Sequence, residues 1–180
     1  MTSNDSIWMQ IDQMMDLSVF QGAAASLLLR AKIIHDNLPE SYEEIWEHNG
    51  SHASWLKIPE LESCFVCVRG PDREELMIGF KAIMGGSSVE DLIAGATNLP
   101  HDEILLRFYW VAYMTEHPNK AVLDFFDEGM KDERENIRLS VLNGYYIRRW
   151  PEWRSALELA ATSDVSEKVR SQAKTILDKC

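Results

Sequence analysis

The sequence has little of what builds a disulfide scaffold or a nucleotide-binding loop. Its 180 residues include only three cysteines, nine glycines and six prolines. An odd number of cysteines in a chain that is 46% hydrophobic argues against a fold held by disulfides. The glycines form no phosphate-binding loop, and no serine lies in a nucleophile-elbow sequence. We therefore expect one domain with a hydrophobic core.

Long apolar runs and a secretion signal are also missing. The longest run of small apolar residues, 23–29, ends at Arg30 and is too short to span a bilayer. Residues 1–5 lack the basic region and apolar core of a signal peptide. We therefore expect a cytoplasmic protein that does not bind membranes.

Cysteine and histidine pairs give little support for metal or redox chemistry. Cys64 and Cys67 enclose two apolar residues, and no second ligand pair follows at zinc-site spacing. We interpret residues 64–68 as the end of a helix with both thiols on one face. His48 and His52 are four residues apart, but the intervening Asn49-Gly50 interrupts the helix that a zinc-protease pattern needs. We expect no metal, no cofactor and no catalytic residue.

Four aspartates recur at a nearly constant interval. Asp72, Asp102, Asp132 and Asp164 are 30, 30 and 32 residues apart, and each lies between two short helical patterns. A period near thirty residues is typical of stacked helix pairs. Aspartate is also a favourable helix N-cap, because its carboxylate accepts N–H groups of the first turn. We therefore predict that each aspartate begins the second helix of a pair.

Other positions repeat in phase with the aspartates. The first helices of the pairs are predicted to begin at Pro59, Val89, Pro118 and Pro151. Proline suits the first helical turn, where its missing N–H has no intrahelical partner. An aliphatic residue follows each aspartate by four or five positions, and in three of the four pairs the next residue is arginine.

These features resemble the HEAT-repeat superfamily over roughly residues 59–180. The best matches are Asp132 with Ile137-Arg138 and Asp164 with Val169-Arg170, whereas Met77 replaces the arginine in the first pair. The resemblance implies an all-α solenoid of about four helix pairs. It also implies a structural ladder between neighbouring repeats, made by Asp102, Arg107, Asp132, Arg138, Asp164 and Arg170.

Residues 1–58 do not show the repeat. Residues 7–15, 21–34 and 41–48 carry apolar patterns that we interpret as two or three helices. The end of a solenoid must be covered, so we expect 1–58 to form a divergent helical cap on the repeats at 59–180. The two segments would then form one continuous structural domain.

Basic residues are scarce, and the net charge is −11. The segment 59–135 carries a net −9, whereas 136–180 carries +3. The acidic side chains are densest between residues 124 and 135, and include Asp124, Asp127 and Glu128. An acidic field attracts basic partners and repels phosphate backbones. We therefore expect a basic protein partner and no nucleic acid.

Aromatic residues suggest where such a partner would bind. Tyr109 and Tyr113 lie one turn apart on one predicted second helix, as do Asn143 and Tyr146 on the next. Tyrosine is favoured at interfaces because it combines a large apolar area with a polar tip. We predict that these four residues, with Asp124, Asp127 and Glu128, line an acidic concave binding face. Packing between repeats is the alternative role for the tyrosines.

Charge and fold class together favour a non-catalytic protein-binding module. A bacterial immunity protein that neutralises a basic toxin is the specific form of this hypothesis, because complementary charge speeds such association. The alternative is a HEAT-like enzyme. It would act on nucleic acid, as DNA glycosylases of that fold do, or on a small-molecule or pigment substrate.

Overall fold

The structure is a mixture of sheet and helices, so the predicted all-α solenoid is wrong. The computed structural model describes residues 6–12, 15–38, 41–58 and 61–179. It divides into two compact units, Met1–Val89 and Glu90–Cys180. Five strands lie in the first unit, where a helical cap and the first repeat were expected. Pro59 and Cys180 lie outside the described residues.

The first unit contains a five-stranded antiparallel sheet. Its strands are β1 (Ile7–Asp12), β2 (Arg30–Leu38), β3 (Ser41–His48), β4 (Ser51–Ile58) and β5 (Ser63–Arg69). Their order across the sheet is β1-β5-β4-β3-β2. Each neighbouring pair is antiparallel, and β5 joins the first strand to the β2–β3–β4 meander.

The turn between β3 and β4 explains why this region forms a hairpin. Asn49 and Gly50 connect the paired residues His48 and Ser51, and both have positive φ, at 48° and 79°. Two-residue hairpin turns of type I′ require positive φ at both central positions, which Asn-Gly adopts readily. Asn49-Gly50, which was expected only to interrupt a helix, is therefore a tight turn between two strands.

Two helices cover one face of this sheet. Helix α1 (Leu17–Ser26) begins at Asp16, whose side chain accepts the Ser18 N–H, and α2 (Arg73–Met84) follows β5. Phe20 of α1 stacks on Phe80 of α2 at 5.5 Å between ring centroids and lies 5.6 Å from Trp55 of β4. All three rings are buried in one core with apolar residues of β1 and β5.

The predicted helices of residues 1–68 need correction. Among the described residues of the helices expected in the cap, only part of 21–34 is helical, because α1 ends at Ser26 and β2 begins at Arg30. Residues 64–68 belong to a strand, and side chains three apart on a strand point to opposite faces of the sheet. The thiols of Cys64 and Cys67 are therefore buried on different faces.

The second unit is helical in its described part. After α3 (Val89–Ala94) and a 3-10 turn at Gly95–Asn98 come α4 (His101–Met114), α5 (Lys120–Met130) and α6 (Glu135–Arg148). A 3-10 turn at Pro151–Trp153 leads into α7 (Arg154–Ser163), and α8 (Glu167–Leu177) follows. None of the helices in the described part of the chain has the length and apolar character to cross a membrane.

Asp132 and Asp164 lie between paired helices but do not cap them as predicted, whereas Asp72 lies between β5 and α2. Asp132 and Asp164 each stand three residues before a helix, and each accepts the backbone N–H two residues ahead. Residue Ser166 supplies the hydroxyl that caps α8. Asp72 occupies the N-cap position of α2 without a side-chain cap bond. The side chain of Asp102 lies outside the described residues.

Aromatic side chains and glycines bring the helices of the second unit close together. Phe126 of α5 packs edge-on against Trp150 and Trp153, at centroid distances of 5.1 and 6.0 Å. Gly144 of α6 faces the backbone of α4, because a Cβ built there would lie 2.8 Å from the carbonyl oxygen of Phe108. The close packing of α4 on α6 therefore depends on the missing side chain.

We predict that Gly144→Ala destabilises the protein by about 1–3 kcal/mol, because the added methyl group meets backbone that cannot rotate away. Gly22→Ala is the control, since a Cβ at this α1 position has no neighbour within 4 Å. It should stabilise by about 0.4–1 kcal/mol through reduced entropy of the unfolded chain. Denaturant unfolding measures both. Equal effects of the two substitutions would contradict the packing of α4 against Gly144.

Candidate functional site

A candidate site is a groove beside α5 and α7, which we call the acidic groove. Its volume is about 1050 Å³. The α5 residues and the turn before α6 form one side, and α7 with the turn before α8 forms the other. The lining residues are Asp127, Met130, Lys131, Asp132, Glu133, Arg138, Ser155, Ala156, Leu159, Ala160, Ser163, Asp164 and Val165.

Arg138 holds both turns that border the groove. Its Nε and Nη2 donate to the two carboxylate oxygens of Asp164 at 2.9 and 3.0 Å. Its Nη1 donates to the carbonyl oxygens of Asp132 and Glu133 at 2.7 and 3.0 Å. The Arg138 and Asp164 side chains are only 6% and 7% exposed. One buried guanidinium therefore fixes the α5–α6 turn relative to the α7–α8 turn.

Asp132 is stabilised as a carboxylate at the edge of the groove. Arg134 donates to it from Nε at 2.8 Å, from Nη2 at 2.7 Å and from its backbone N–H at 2.9 Å. The Arg134 side-chain hydrogen bond is the main cause that lowers the pKa of Asp132 from 3.8 to about 2, although partial desolvation opposes it. Asp132 is therefore charged throughout the physiological range.

Two further carboxylates retain oxygens that a ligand can contact. Trp153 donates its indole N–H to Oδ1 of Asp127 at 2.7 Å, and this bond orients the carboxylate from behind. Its other oxygen has no hydrogen bond to any described residue. Glu133 is exposed, and only its backbone carbonyl is used by Arg138. Asp127 and Glu133 therefore give the groove acceptors for a basic group.

Exposed apolar side chains lie next to these acceptors. Leu159 of α7 is 64% exposed, and Val165 of the following turn is 89% exposed. The rest of the α7 lining is small, with Ser155, Ala156 and Ala160. Large apolar side chains at such exposure contribute little to the core, so the groove combines negative charge with apolar surface that a partner would cover.

The predicted tyrosine face is not part of this groove. Asn143 of α6 donates to the hydroxyl of Tyr109 at 3.0 Å and accepts from Gln172 of α8 at 2.9 Å. These contacts make a polar row across α4, α6 and α8. Tyr113 is half-buried beside Arg148. Tyr146 is exposed, and the guanidinium carbon of Arg149 lies 4.6 Å from the centroid of its ring. Tyr113 and Tyr146 therefore lie against basic side chains.

The predicted acidic residues of α5 divide between the groove and the open surface. Asp127 lines the groove, as described above. Asp124 pairs with Lys120 at 2.5 Å and Glu128 with Lys131 at 2.7 Å, and all four of these side chains are exposed. Such surface pairs are strongly screened by water. Of the seven predicted partner-binding residues, only Asp127 lines the groove.

The remaining arginines of the predicted ladder bind backbone carbonyl groups. Arg107 donates to the Leu92 carbonyl at 2.7 Å, and Arg170 donates to the Asp164 carbonyl at 2.5 Å. A bidentate arginine–carboxylate pair between successive helix pairs is formed by Arg138 and Asp164. Each of these arginines thus ties a turn or helix end to the following helix.

Basic residues near the end of α6 are also engaged within the second unit. Arg148 donates to the Ala112 carbonyl at 3.1 Å and to that of Tyr113, and Arg149 donates to the Lys179 carbonyl at 3.0 Å. Trp150 donates its indole N–H to the Thr115 carbonyl, just after α4, at 3.3 Å. These three consecutive residues satisfy carbonyl groups at the ends of α4 and α8, so they hold helix ends together.

A carboxylate that was not predicted to be buried lies in the described part of the sheet unit. Glu44 of β3 is 1% exposed and accepts hydrogen bonds from the Trp46 indole at 2.5 Å and the Gln21 amide at 3.1 Å. The Gln21 bond joins α1 to the sheet, so we assign Glu44 a structural role. Among the described residues, no three His, Cys, Asp or Glu side chains are grouped as a metal site.

Comparison with known proteins adds no relative. No protein-family model matches the sequence, and no curated protein or solved structure is significantly similar to it.

Replacing Arg138 should cost far more stability than replacing an exposed arginine. We expect Arg138→Met to lower the free energy of unfolding by about 3–5 kcal/mol, because it leaves the Asp164 carboxylate buried and unpaired. Arg138→Lys should lie between this variant and wild type, since it keeps the charge but not the forked geometry. Arg154→Met is the control, because its pair with Glu158 is exposed and contributes about 0.5 kcal/mol or less. Chemical denaturation measures the unfolding free energy of the three variants. Equal losses in all three would contradict the importance of the buried Arg138–Asp164 pair.

Asp132→Asn should change how stability depends on pH. A carboxyl group with a lowered folded-state pKa stabilises the protein when ionised, and this contribution is lost as pH falls from its unfolded value of 3.8 through about 2. The difference in unfolding free energy between wild type and variant should therefore be small near pH 2 and constant above about pH 5. Denaturant titrations from acid to neutral pH measure it. A difference that is independent of pH would contradict the lowered pKa.

Proposed function

We propose that the protein is a non-catalytic binding module that holds a basic protein partner in the acidic groove. The observation that supports this most directly is the groove itself, where exposed Leu159 and Val165 adjoin the acceptors of Asp127 and Glu133. Interfaces commonly combine a desolvated apolar centre with a polar rim. The groove offers both on two helices and two turns that Arg138 fixes in place.

The charge of the chain supports a basic partner. The net charge is −11, and the α5 side of the groove belongs to the segment where carboxylates are densest. Asp132 and Asp164 have arginine partners, which leaves Asp127 and Glu133 as the carboxylates best able to bind an incoming cation. A negative potential around such a groove would raise the association rate of a basic protein, and added salt would reduce it.

A nucleic-acid ligand is less favoured by the same contacts. Binding to phosphates needs arginines and lysines that are available at the surface. In the most basic part of the chain, Arg148 and Arg149 donate to backbone carbonyl groups, and Arg154 and Lys168 pair with glutamates. The arginines at the end of α6 are therefore engaged within the protein, which counts against the glycosylase-like alternative.

The most specific form of the proposal is an immunity-type inhibitor of the cytoplasm. A basic nuclease toxin presents positive charge around its active site, and an acidic groove would bind that surface and block access of the nucleic acid. The helix pairs α5–α6 and α7–α8, joined by Arg138 and Asp164, are consistent with an evolutionary relation of this segment to HEAT repeats, which we include in the proposal.

Affinity capture with charge-matched variants tests the proposal. Tagged protein is incubated with lysate of its source organism at low salt, and bound proteins are identified by mass spectrometry during a salt titration. We expect one basic protein that elutes as salt rises. The variant Asp127→Asn with Glu133→Gln should lose it, because both groove acceptors lose their charge, while the amide oxygen introduced at position 127 can still accept the Trp153 bond.

The control variant removes the same charge elsewhere. Glu152→Gln with Glu158→Gln neutralises two exposed carboxylates that do not line the groove, and it should retain the partner. If the captured protein is a nuclease, an equimolar amount of wild type should abolish its activity. If the groove variant and the control variant lost capture equally, binding would depend on net charge and not on the groove. Recovery of nucleic acid alone would contradict the proposal.

A further inference from the structure

We propose that the occupant of the acidic groove is a basic amphipathic α-helix of the partner. This inference rests on the proposed function and adds the conformation and residue pattern of the segment that binds. It follows from three properties of the groove: the backbone groups that its walls leave available, the size of its lining side chains, and the placement of its charges relative to its apolar residues.

The backbone of the occupant must satisfy its own hydrogen bonds. The groove walls are helices and short turns, and the described residues of 90–179 contain no strand whose edge an extended peptide could join. An extended segment in the groove would bury N–H and C=O groups without a ladder of partners, which is unfavourable. A helix satisfies these groups internally and presents only side chains.

The lining of α7 permits close approach of such a helix. Ser155, Ala156, Leu159, Ala160 and Ser163 lie at spacings of one, three, one and three residues, and therefore share one face of α7. Four of these five side chains are small, and a helix about 10 Å across can approach closely where side chains are short. Leu159 is the exception, and it projects as the main apolar contact, with 64% of its surface exposed.

The charges define the rest of the pattern. Leu159 and Val165 supply apolar contacts along the α7 side, while Asp127 and Glu133 supply acceptors on the α5 side. An occupant that contacts both sides needs apolar residues on one stripe and lysine or arginine beside that stripe. This arrangement corresponds to apolar residues at i, i+3, i+4 and i+7 with basic residues at the flanking positions.

Synthetic peptides test the conformation directly. One probe is a peptide of leucine and lysine, about 18 residues or five helical turns long, in which leucines recur at helical spacing. The matched probe has the same composition with leucine and lysine strictly alternating, as in a strand. Fluorescence anisotropy measures the affinity of each, circular dichroism measures the helix gained on binding, and amide chemical shifts locate the site on the protein.

We expect the helical-pattern peptide to bind at least about tenfold more tightly and to gain helix on binding. Its largest shifts should fall on Met130, Leu159 and Val165. The variant Leu159→Ser with Val165→Ser should weaken it about tenfold, since both side chains are largely exposed in the free protein and lose apolar contact only in the complex. Ile147→Ser is the control, because Ile147 is a partly exposed apolar residue outside the groove, and it should leave the affinity unchanged.

The other outcomes separate this inference from the proposed function. Equal binding of both peptides in the groove would overturn the helical conformation and leave the basic-partner proposal standing. Shifts outside the groove, or no effect of the Leu159 and Val165 substitutions, would overturn the assignment of the site. If neither peptide binds but groove-dependent capture of a basic protein succeeds, only the helix inference fails. If both experiments fail, the proposed function fails with it.

Discussion

The arrangement of the candidate site depends on one guanidinium group. The described side-chain hydrogen bonds of Arg138 all go to two turns, through the Asp164 carboxylate and the carbonyl groups of Asp132 and Glu133. Both turns border the acidic groove, so the residue that the repeat pattern identifies as scaffold is also the residue that sets the groove's edges. For Arg138, a structural role and a place in the candidate site are therefore not separate alternatives. Arg138 holds the turn before α6 to the turn before α8 and, by the same bonds, fixes the backbone at Glu133 beside the groove.

Local signals in the sequence predicted the helices of the second unit well, but not the sheet of the first. The pattern that places Ile137 and Val141 one turn apart predicts α6, because helical periodicity depends on neighbouring residues alone. In β5, residues 63–68 are buried on both faces, and such a continuous apolar run does not distinguish a strand from a buried helix. The hairpin signal was present in Asn49-Gly50, which was interpreted only as a helix breaker. Treating it as a type I′ turn would have predicted β3 and β4.

The groove could be predicted only in part, because it forms between segments that are distant in the sequence. Asp127 was identified from the density of acidic residues, but its orientation comes from Trp153, 26 residues further along the chain. Leu159 could have been identified, because its large apolar side chain lies off the helical stripe formed by the buried residues of α7. By contrast, Tyr109 satisfies the expected spacing but hydrogen-bonds Asn143, and spacing alone does not reveal that partner.

The buried Arg138–Asp164 pair is better explained by geometry than by stability. Burying two charges costs desolvation energy that their attraction barely offsets, and well-packed apolar residues often stabilise a fold as much or more. What apolar residues cannot supply is a forked donor that fixes a carboxylate and two carbonyl groups at once. Because these bonds fix the turns in the free protein, a partner of the proposed kind would not have to order them on binding, which would favour its affinity. The pair therefore links the junction of two helix pairs to the candidate site, because it holds together the two turns that border the groove.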